Sequence, residues 1–199
     1  MKKRYLLKVR QLCCKRNYRL IFENLSFQLN PGEIILIDGK NGSGKTSLLL
    51  SIAGVLSCEG DILFKDSFHK KIGYVGHQNA LNEADTVEDF LKYWKNIYNH
   101  TSGSETLLEV FELKKYLHYS IHSLSFGQKK KLSFLRLLMI QSKIWLLDEP
   151  LSGLDKRNEI LILNLLEEHT SNGGGIVLTS HQKLNLDKNN ENITRVSID

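Results

Sequence analysis

The stretch of this sequence that decides the fold is Gly39-Lys40-Asn41-Gly42-Ser43-Gly44-Lys45-Thr46. It follows Ile34-Ile35-Leu36-Ile37, a run that is apolar at every position, as a strand buried on both faces of a sheet requires. A helical pattern over residues 47–55 comes directly after it. Strand, glycine-rich loop and helix in this order are typical of a phosphate-binding loop, in which backbone N–H groups and a helix N-terminus face the anion.

The loop pattern predicts a separate task for each of its residues. Lys45 is placed to reach the β- and γ-phosphates of a nucleotide, and the Thr46 hydroxyl is placed to bind Mg²⁺. The remaining residues form the backbone around the phosphates: Gly39, Lys40, Asn41, Gly42, Ser43 and Gly44. A nucleoside triphosphate with Mg²⁺ is therefore the expected ligand.

A second half of the same site is predicted where the apolar run Ile144-Trp145-Leu146-Leu147 ends in two acids, Asp148 and Glu149. Asp148 is suited to hold Mg²⁺ through water, and Glu149 is suited to orient or deprotonate an attacking water. Adjacent acids at the end of a strand are often only solvated. The phosphate-binding loop upstream is what favours the functional interpretation.

Leu124-Ser125-Phe126-Gly127-Gln128 distinguishes this chain from other proteins with a phosphate-binding loop. It resembles the signature motif of the ATP-binding cassette (ABC) family, except that Phe126 stands where the usual form has Gly. Gln78 is similar to the family's Q-loop glutamine, Ser152-Gly153-Leu154-Asp155 to its D-loop, and His181 to its switch histidine. The resemblance covers essentially the whole chain, and it implies an enzyme that hydrolyses ATP.

The resemblance also implies roles for these residues. Ser125, Gly127 and Gln128 would present hydrogen-bond donors to a γ-phosphate from the start of a helix. Gln78 would contact Mg²⁺ or the attacking water, and His181 would hydrogen-bond the γ-phosphate. The family stacks adenine on an aromatic residue upstream of the loop. The nearest candidate is Tyr18, two residues away from the usual spacing.

The order of apolar segments predicts an α/β fold. Short β-branched runs occur at residues 20–27, 33–38, 61–64, 71–75, 144–148, 175–180 and 193–198, whereas apolar residues within 80–141 recur at helical spacing. Thr86 and Asp89 resemble a capping box before the first of these helices. With the resemblance, we expect one domain of the ABC ATPase type. It has a P-loop NTPase, RecA-like core sheet (about 1–80 and 141–199) with an inserted α-helical subdomain (about 81–140).

Composition excludes several classes of protein. Hydrophobic residues make up 41% and charged residues 25% of the 199 residues, as in ordinary globular domains, and no apolar run reaches the length that crosses a bilayer. The three cysteines have no metal-ligand spacing and are expected to be reduced thiols. The net charge of +5 could indicate nucleic acid, but the only basic triplet, Lys129-Lys130-Lys131, has no aromatic residues interleaved with it. We therefore expect no nucleic-acid partner, and the triplet is interpreted as a solvated helix face or as positive potential near the nucleotide.

Within the family, the chain resembles the ATP-binding subunits of cytochrome c maturation systems. This resemblance rests on three segments: Gly76-His77-Gln78, Ser180-His181-Gln182 and Leu12-Cys13-Cys14-Lys15-Arg16. The resemblance implies a peripheral subunit on the cytoplasmic face of a bacterial inner membrane, or on the matrix side of an organelle membrane. Its partners would be integral membrane transporter subunits, and its task haem handling or export. The subunit itself is expected to be a head-to-tail homodimer, because the P-loop and signature of one cassette usually face away from each other.

Two other assignments stay open at this stage. One is the ATPase subunit of a different small exporter. The other is a soluble cassette protein that acts on DNA or ribosomes, a type that generally needs a long coiled coil or a second cassette.

Overall fold

The computed structural model describes residues 5–16, 18–65, 72–98, 104–180 and 192–198. Within these ranges the chain forms eight strands and five α-helices. The strands are β1 (Leu7–Arg16), β2 (Arg19–Leu29), β3 (Ile34–Asp38), β4 (Glu59–Phe64), β5 (Ile72–Val75), β6 (Ile144–Asp148), β7 (Gly175–Thr179) and β8 (Ile193–Ser197). The helices are α1 (Lys45–Ile52), α2 (Val87–Tyr98), α3 (Ser104–Val110), α4 (Phe126–Ile140) and α5 (Lys156–Ser171), with short 3₁₀ turns at Lys114–Tyr116 and Ile121–Ser123.

Five of the strands form a parallel sheet in the order β5-β6-β7-β3-β8. β3 lies between β7 and β8, and all four of its residues from Ile34 to Ile37 are at most 3% exposed. Ile34 and Leu36 pack into the core on one face, while Ile35 and Ile37 pack into the core on the other. The prediction of a central strand buried on both faces is thus confirmed, and the predicted α/β class with it.

A second, three-stranded antiparallel sheet has the order β2-β1-β4. The predicted strands did not include β1. Leu7 and Val9 are buried whereas Lys8 and Arg10 are more exposed, which is the alternation of a half-buried strand. That alternation was visible in the sequence and was the signal that could have identified β1.

In the described part of the chain between β5 and β6, regular structure is helical. Thr86 and Asp89 form the expected capping box before α2: the Asp89 N–H donates to the Thr86 hydroxyl (3.1 Å) and the Thr86 N–H donates to the Asp89 carboxylate (3.2 Å). α2 buries Val87, Phe90 and Leu91. These helices share one apolar core with the adjacent face of the parallel sheet, which fixes the position of the segment relative to the strand ends.

The basic triplet at the start of α4 is not a solvated face. Lys130 is completely buried and Lys131 is 8% exposed, while the Lys129 side chain keeps 18% of its surface in solvent. Lys129 pairs with Glu83, and Lys131 lies 3.9 Å from Glu112. The expectation of a solvated surface was wrong because the face of α4 that carries Lys130 packs inward.

No helix in the described ranges is both long and apolar enough to span a membrane. Cys13, Cys14 and Cys58 are all free thiols, as expected. Burial raises the pKa of the Cys14 thiol to about 12, so this cysteine is held in its protonated form.

Candidate functional site

The predicted site residues meet at the carboxyl ends of adjacent parallel strands. β6 pairs with β7 so that Asp148 lies beside Thr179, and β3 pairs with the other side of β7 so that Ile37 also lies beside Thr179. The loop that follows β3 therefore emerges next to the carboxylates that end β6. Ligands of open α/β sheets bind at this edge.

Residues 39–46 close over the start of α1, and Gly44 is the residue that permits this. Gly44 caps the helix in the left-handed region, with φ 104°. A Cβ added there would lie 2.3 Å from Cγ2 of Ile21, so both the backbone angle and the close approach to β2 require glycine. The helix N-terminus consequently points into the loop, where its exposed N–H groups favour an anion.

Lys45 is held inside the loop. Its side chain is almost fully enclosed, with 7% exposed, and its ammonium donates hydrogen bonds to the carbonyl oxygens of Gly39 (2.7 Å) and Lys40 (2.9 Å). The Ser43 hydroxyl is also buried and has no hydrogen-bond partner among the described residues. The loop thus encloses one cation and one uncommitted hydroxyl, which suits oxygen atoms of a phosphate.

Asp148 is buried and accepts two short hydrogen bonds. The Thr46 hydroxyl donates to its Oδ2 (2.8 Å) and the Thr179 hydroxyl donates to its Oδ1 (2.7 Å). A hydroxyl and a carboxylate in contact at the end of a phosphate-binding loop are the hard oxygen ligands that Mg²⁺ prefers. The position of Thr179 was missed from the sequence, although a polar residue ending a buried strand beside β6 was the available signal.

Glu149 directly follows β6 and is held by its backbone. Its N–H donates to the Thr179 hydroxyl (3.0 Å), and its φ of 49° lies in the left-handed region, which is strained for a residue other than glycine. The carboxylate is about a quarter exposed and lies 3.5 Å from Nδ1 of His77. Backbone strain retained at a residue whose own carboxylate is partly open to solvent is typical of a functional position.

Two adjoining cavities share Thr46, Asp148 and Glu149. The larger, of about 590 Å³, is completed by residues of the phosphate-binding loop and of the first hairpin: Arg16, Ile21, Asn41, Gly42, Gly44, Lys45 and Ser47. The smaller, of about 440 Å³, is completed by Tyr74, Gly76, His77 and Gln78. Gln78 therefore opens onto the same carboxylates as the phosphate-binding loop, at the entrance to the helical segment. Volumes in this range suit a small-molecule ligand.

The structure does not bring Tyr18 to either cavity. Tyr18 sits at φ 61° in the turn between β1 and β2, and its side chain is fully exposed. The hairpin instead contributes Arg16 and Ile21 to the larger cavity. The turn directs the predicted adenine-stacking ring away from the loop, and the cavity-lining guanidinium was not recognised from the sequence.

The signature residues lie apart from the phosphate-binding loop of their own chain. Ser125 caps α4: its hydroxyl accepts from the Gln128 N–H (3.3 Å), and its own N–H donates to the Gln128 side chain (2.7 Å). A Cβ built on Gly127 would meet nothing closer than 3.7 Å, so this glycine is in open surroundings. Ser125, Gly127 and Gln128 line neither of the two cavities.

Phe126, the departure from the usual signature, packs against the loop after β6. A Cβ added to Gly153 would lie 2.6 and 2.8 Å from two ring atoms of Phe126, so the ring occupies the space that a larger residue would need. The ring is 43% exposed. It therefore covers Gly153 of its own chain and presents its other side to the outside. His181, predicted as the switch histidine, lies outside the described residues.

A glycine-rich phosphate-binding loop, a strand ending in two carboxylates, and a capped signature helix set away from both define an ABC-type nucleotide-binding subunit. Comparison with known sequences agrees: residues 22–152 match the ABC transporter family. The chain belongs to this family and is an ATPase subunit that binds nucleotide. ATPase subunits of this family dimerise and work with membrane partners.

Individual relatives are more specific. The chain is 32% identical over 191 residues (90% of this chain, 93% of the relative) to the cytochrome c biogenesis ATP-binding export protein CcmA of Vibrio vulnificus. It is 38% identical over 177 residues (84% and 88%) to the protein of the same name from Legionella pneumophila.

Solved structures agree on the fold. The ATP-binding subunit of an ABC transporter superposes with a TM-score of 0.79 at 25% identity, covering 88% of this chain and 79% of that one. An ABC transporter ATP-binding protein from Pyrococcus furiosus superposes at 0.78 with 21% identity, covering 96% of each chain. The predicted ABC ATPase fold is thereby confirmed.

Proposed function

We propose that this subunit couples MgATP hydrolysis to a membrane partner in cytochrome c biogenesis, in the handling or export of haem. The observation that carries the proposal is the similarity over most of both chains to proteins named for cytochrome c biogenesis export. The subunit would sit on the cytoplasmic face of the inner membrane, against integral membrane subunits. Residues 1–199 would form one ABC ATPase domain, in which residues of about 81–140 act as the helical subdomain.

The geometry supports a division of labour among the site residues. Lys45, with the N–H groups at the start of α1, would bind the β- and γ-phosphates. Glu149 would orient and deprotonate the attacking water, because it is the partly open carboxylate at the junction of the two cavities. Gln78 opens onto the second cavity beside it and would report whether the γ-phosphate is present. His181 is proposed as a further contact to that phosphate.

Mg²⁺ fits the residues that the structure provides. Thr46 and Asp148 already place a hydroxyl and a carboxylate oxygen 2.8 Å apart on the wall shared by the two cavities. Thr46 would bind the ion directly, Asp148 would hold it through water, and Gln78 would contact it from the second cavity. When bound, the ion would supply positive charge that neutralises the phosphates.

Each complete site would be shared by two copies of the chain arranged head to tail. Ser125, Gly127 and Gln128 line neither cavity of their own chain, and the helix start that they form is capped but otherwise open. A second copy related by a two-fold axis would place these donors over the first copy's nucleotide. The first copy would place its own donors over the second copy's nucleotide in the same way. Hydrolysis then needs both copies.

The helical segment is the proposed dock for the membrane partner. Its aromatic residue Tyr93 is 58% exposed and so is available to a partner, while Trp94 is half-buried and stacks on Tyr98 at 5.4 Å between ring centroids. Nucleotide-driven closure would move this segment together with Gln78 at its entrance. Another exporter or a non-transport cassette protein would use the same ATPase site with a different partner.

The experiment replaces the chromosomal gene by its Glu149→Gln form. This change keeps the size and hydrogen bonding of the side chain but removes the base, so ATP should stay bound without turnover. We expect holo-cytochrome c to be lost while haem-loaded chaperone accumulates on the far side of the membrane. The matched control is Glu168→Gln, the same chemical change on the exposed face of α5. Normal holo-cytochrome c in the Glu149→Gln strain, with ATPase activity abolished, would refute the pathway and leave the ATPase assignment in place.

A further inference from the structure

Lys130 is a completely buried lysine that none of the roles above uses. It lies on α4, one turn after the signature residue Phe126, with 0% of its surface exposed. Its Nζ has no hydrogen-bond partner among the residues that the structure describes. Its two neighbours in the triplet are satisfied differently, Lys129 by Glu83 and Lys131 by proximity to Glu112.

An ammonium in this position is costly for folding. Removing one from water without a hydrogen-bonded partner costs several kcal/mol, and an apolar side chain of the same length would avoid that cost. Folding stability therefore does not explain a lysine at this position. The explanation must come from the groups that surround Lys130.

The surroundings connect Lys130 to the carboxylates of the nucleotide site. Phe126, Lys130 and Ser133 share one face of α4, since they are spaced by four and three residues. On this face the Ser133 hydroxyl donates to the Asn79 carbonyl (3.1 Å), next to Gln78. The ring centroid of Phe126 lies 5.8 Å from the Lys130 Nζ, and that ring covers Gly153 after β6. The face of α4 that carries Lys130 thus contacts both the residue after Gln78 and, through Phe126, the loop that follows β6.

The negative charges of Asp148 and Glu149 favour the charged form of Lys130. Burial lowers the pKa of its ammonium, and the two carboxylates oppose that effect. Further along α4, the Arg136 guanidinium donates to the carbonyl of Tyr74 (3.2 Å), a residue that lines the second cavity. Lys130 is therefore a buried cation on the signature helix whose charged form is favoured by the carboxylate pair.

We propose that Lys130 is a positioning residue of the nucleotide site: its ammonium is the counter-charge of Asp148 and Glu149, supplied by the helix that carries the signature motif. This counter-charge opposes the entry of a divalent cation, so the metal affinity of the site depends on where α4 lies. A movement of α4 during dimer closure changes the distance between Lys130 and the carboxylates. Dimer closure and metal affinity are thereby coupled. The inference rests on the proposed Mg²⁺ site.

The test measures metal affinity directly. Mn²⁺ is titrated into the purified subunit in the presence of ADP, and free Mn²⁺ is measured by electron paramagnetic resonance, so the readout does not depend on hydrolysis. Lys130→Met removes the charge at nearly constant length. Lys129→Met is the matched control, because it removes the same charge from the adjacent, surface-paired residue. Lys130→Arg keeps the charge.

We expect Lys130→Met to bind Mn²⁺ more tightly than the parent by roughly fourfold or more, because removing one buried positive charge removes its repulsion of a divalent ion. Lys129→Met should stay within about twofold of the parent, because Lys129 already pairs with Glu83 and is partly solvated. Lys130→Arg should also stay within about twofold, because it keeps the charge. Lys130→Gln replaces Lys130→Met if circular dichroism shows that the latter is unfolded. Parent-like affinity in the uncharged variant, or an equal shift in Lys129→Met, would overturn the inference. A parent that binds no Mn²⁺ with ADP would instead reject the metal site itself.

Discussion

The Thr46 hydroxyl donates a hydrogen bond of 2.8 Å to the carboxylate of Asp148, a residue 102 positions further along the chain. This bond connects the loop after β3 to the end of β6. It lies on the wall where both cavities meet, so a metal held at this point would face both cavities.

Asp148→Asn should weaken metal-dependent nucleotide binding. The amide cannot supply the negative charge that holds the metal's water, so we expect the affinity gain that Mg²⁺ gives to ADP to fall by roughly 10- to 100-fold. Affinity for ADP without metal should change little. Calorimetric titrations of ADP with Mg²⁺ and with chelator measure both, and an undiminished Mg²⁺ effect would remove Asp148 from the metal site.

The contact between Phe126 and Gly153 should be visible as coupling between two substitutions. Gly153→Ala adds a Cβ where the Phe126 ring lies and forces alanine to φ 72°, so we expect it to lower the melting temperature and the ATPase rate. In a Phe126→Gly background the steric part of this penalty disappears, leaving only the backbone strain of about 1 kcal/mol. A double-mutant cycle on unfolding free energy measures the difference. Strict additivity of the two changes would show that the ring does not restrain the loop.

How far the sequence predicts this molecule depends on where the information lies. The loop at 39–46 and the carboxylates after β6 could be predicted because each follows a short apolar strand, and backbone geometry then places both at one sheet edge. Tyr18 could not be placed, because a single left-handed residue in a hairpin turn decides which side chains face the cavity. The burial of Lys130 could not be predicted either, since it depends on the long-range packing of α4.

Measurements of nucleotide affinity can distinguish whether Arg16 or Tyr18 contributes to nucleotide binding. Arg16 lines the larger cavity and Tyr18 is fully exposed, so Arg16→Ala should weaken ATP binding about 5- to 30-fold, the range expected for loss of one guanidinium contact to a ring face or phosphate. Tyr18→Ala should leave affinity unchanged. Fluorescence titration with a nucleotide analogue measures both. The reverse ranking would return the adenine-stacking role to Tyr18.

His169 should make stability depend on pH. Its ring stacks on Trp145 at 3.8 Å, and burial lowers its pKa from 6.5 to about 4. Between those two values the unfolded chain binds more protons than the folded chain, so stability is complete above about pH 6.5 and decreases as the pH falls towards 4. The loss attributable to this residue is on the order of 2 kcal/mol after allowance for partial exposure.

Urea unfolding at pH 7.5 and pH 5 tests this expectation. His169→Gln is less stable at neutral pH but lacks the titrating group, so the difference between its two pH values should be smaller than that of the parent. Equal pH dependence in both proteins would assign the effect to other residues.

The central claim is that each hydrolytic site is shared by two copies of this chain. The most direct test is to mix a Lys45→Ala subunit, defective in phosphate binding, with a Ser125→Arg subunit, defective in the signature, and to measure ATPase activity. Each variant alone should be inactive. The mixture should regain about a quarter of the parent rate, because half of randomly paired two-fold dimers are mixed and each mixed dimer has one intact site of two. Absence of any recovery, with mixed dimers verified by mass spectrometry, would contradict the shared-site account.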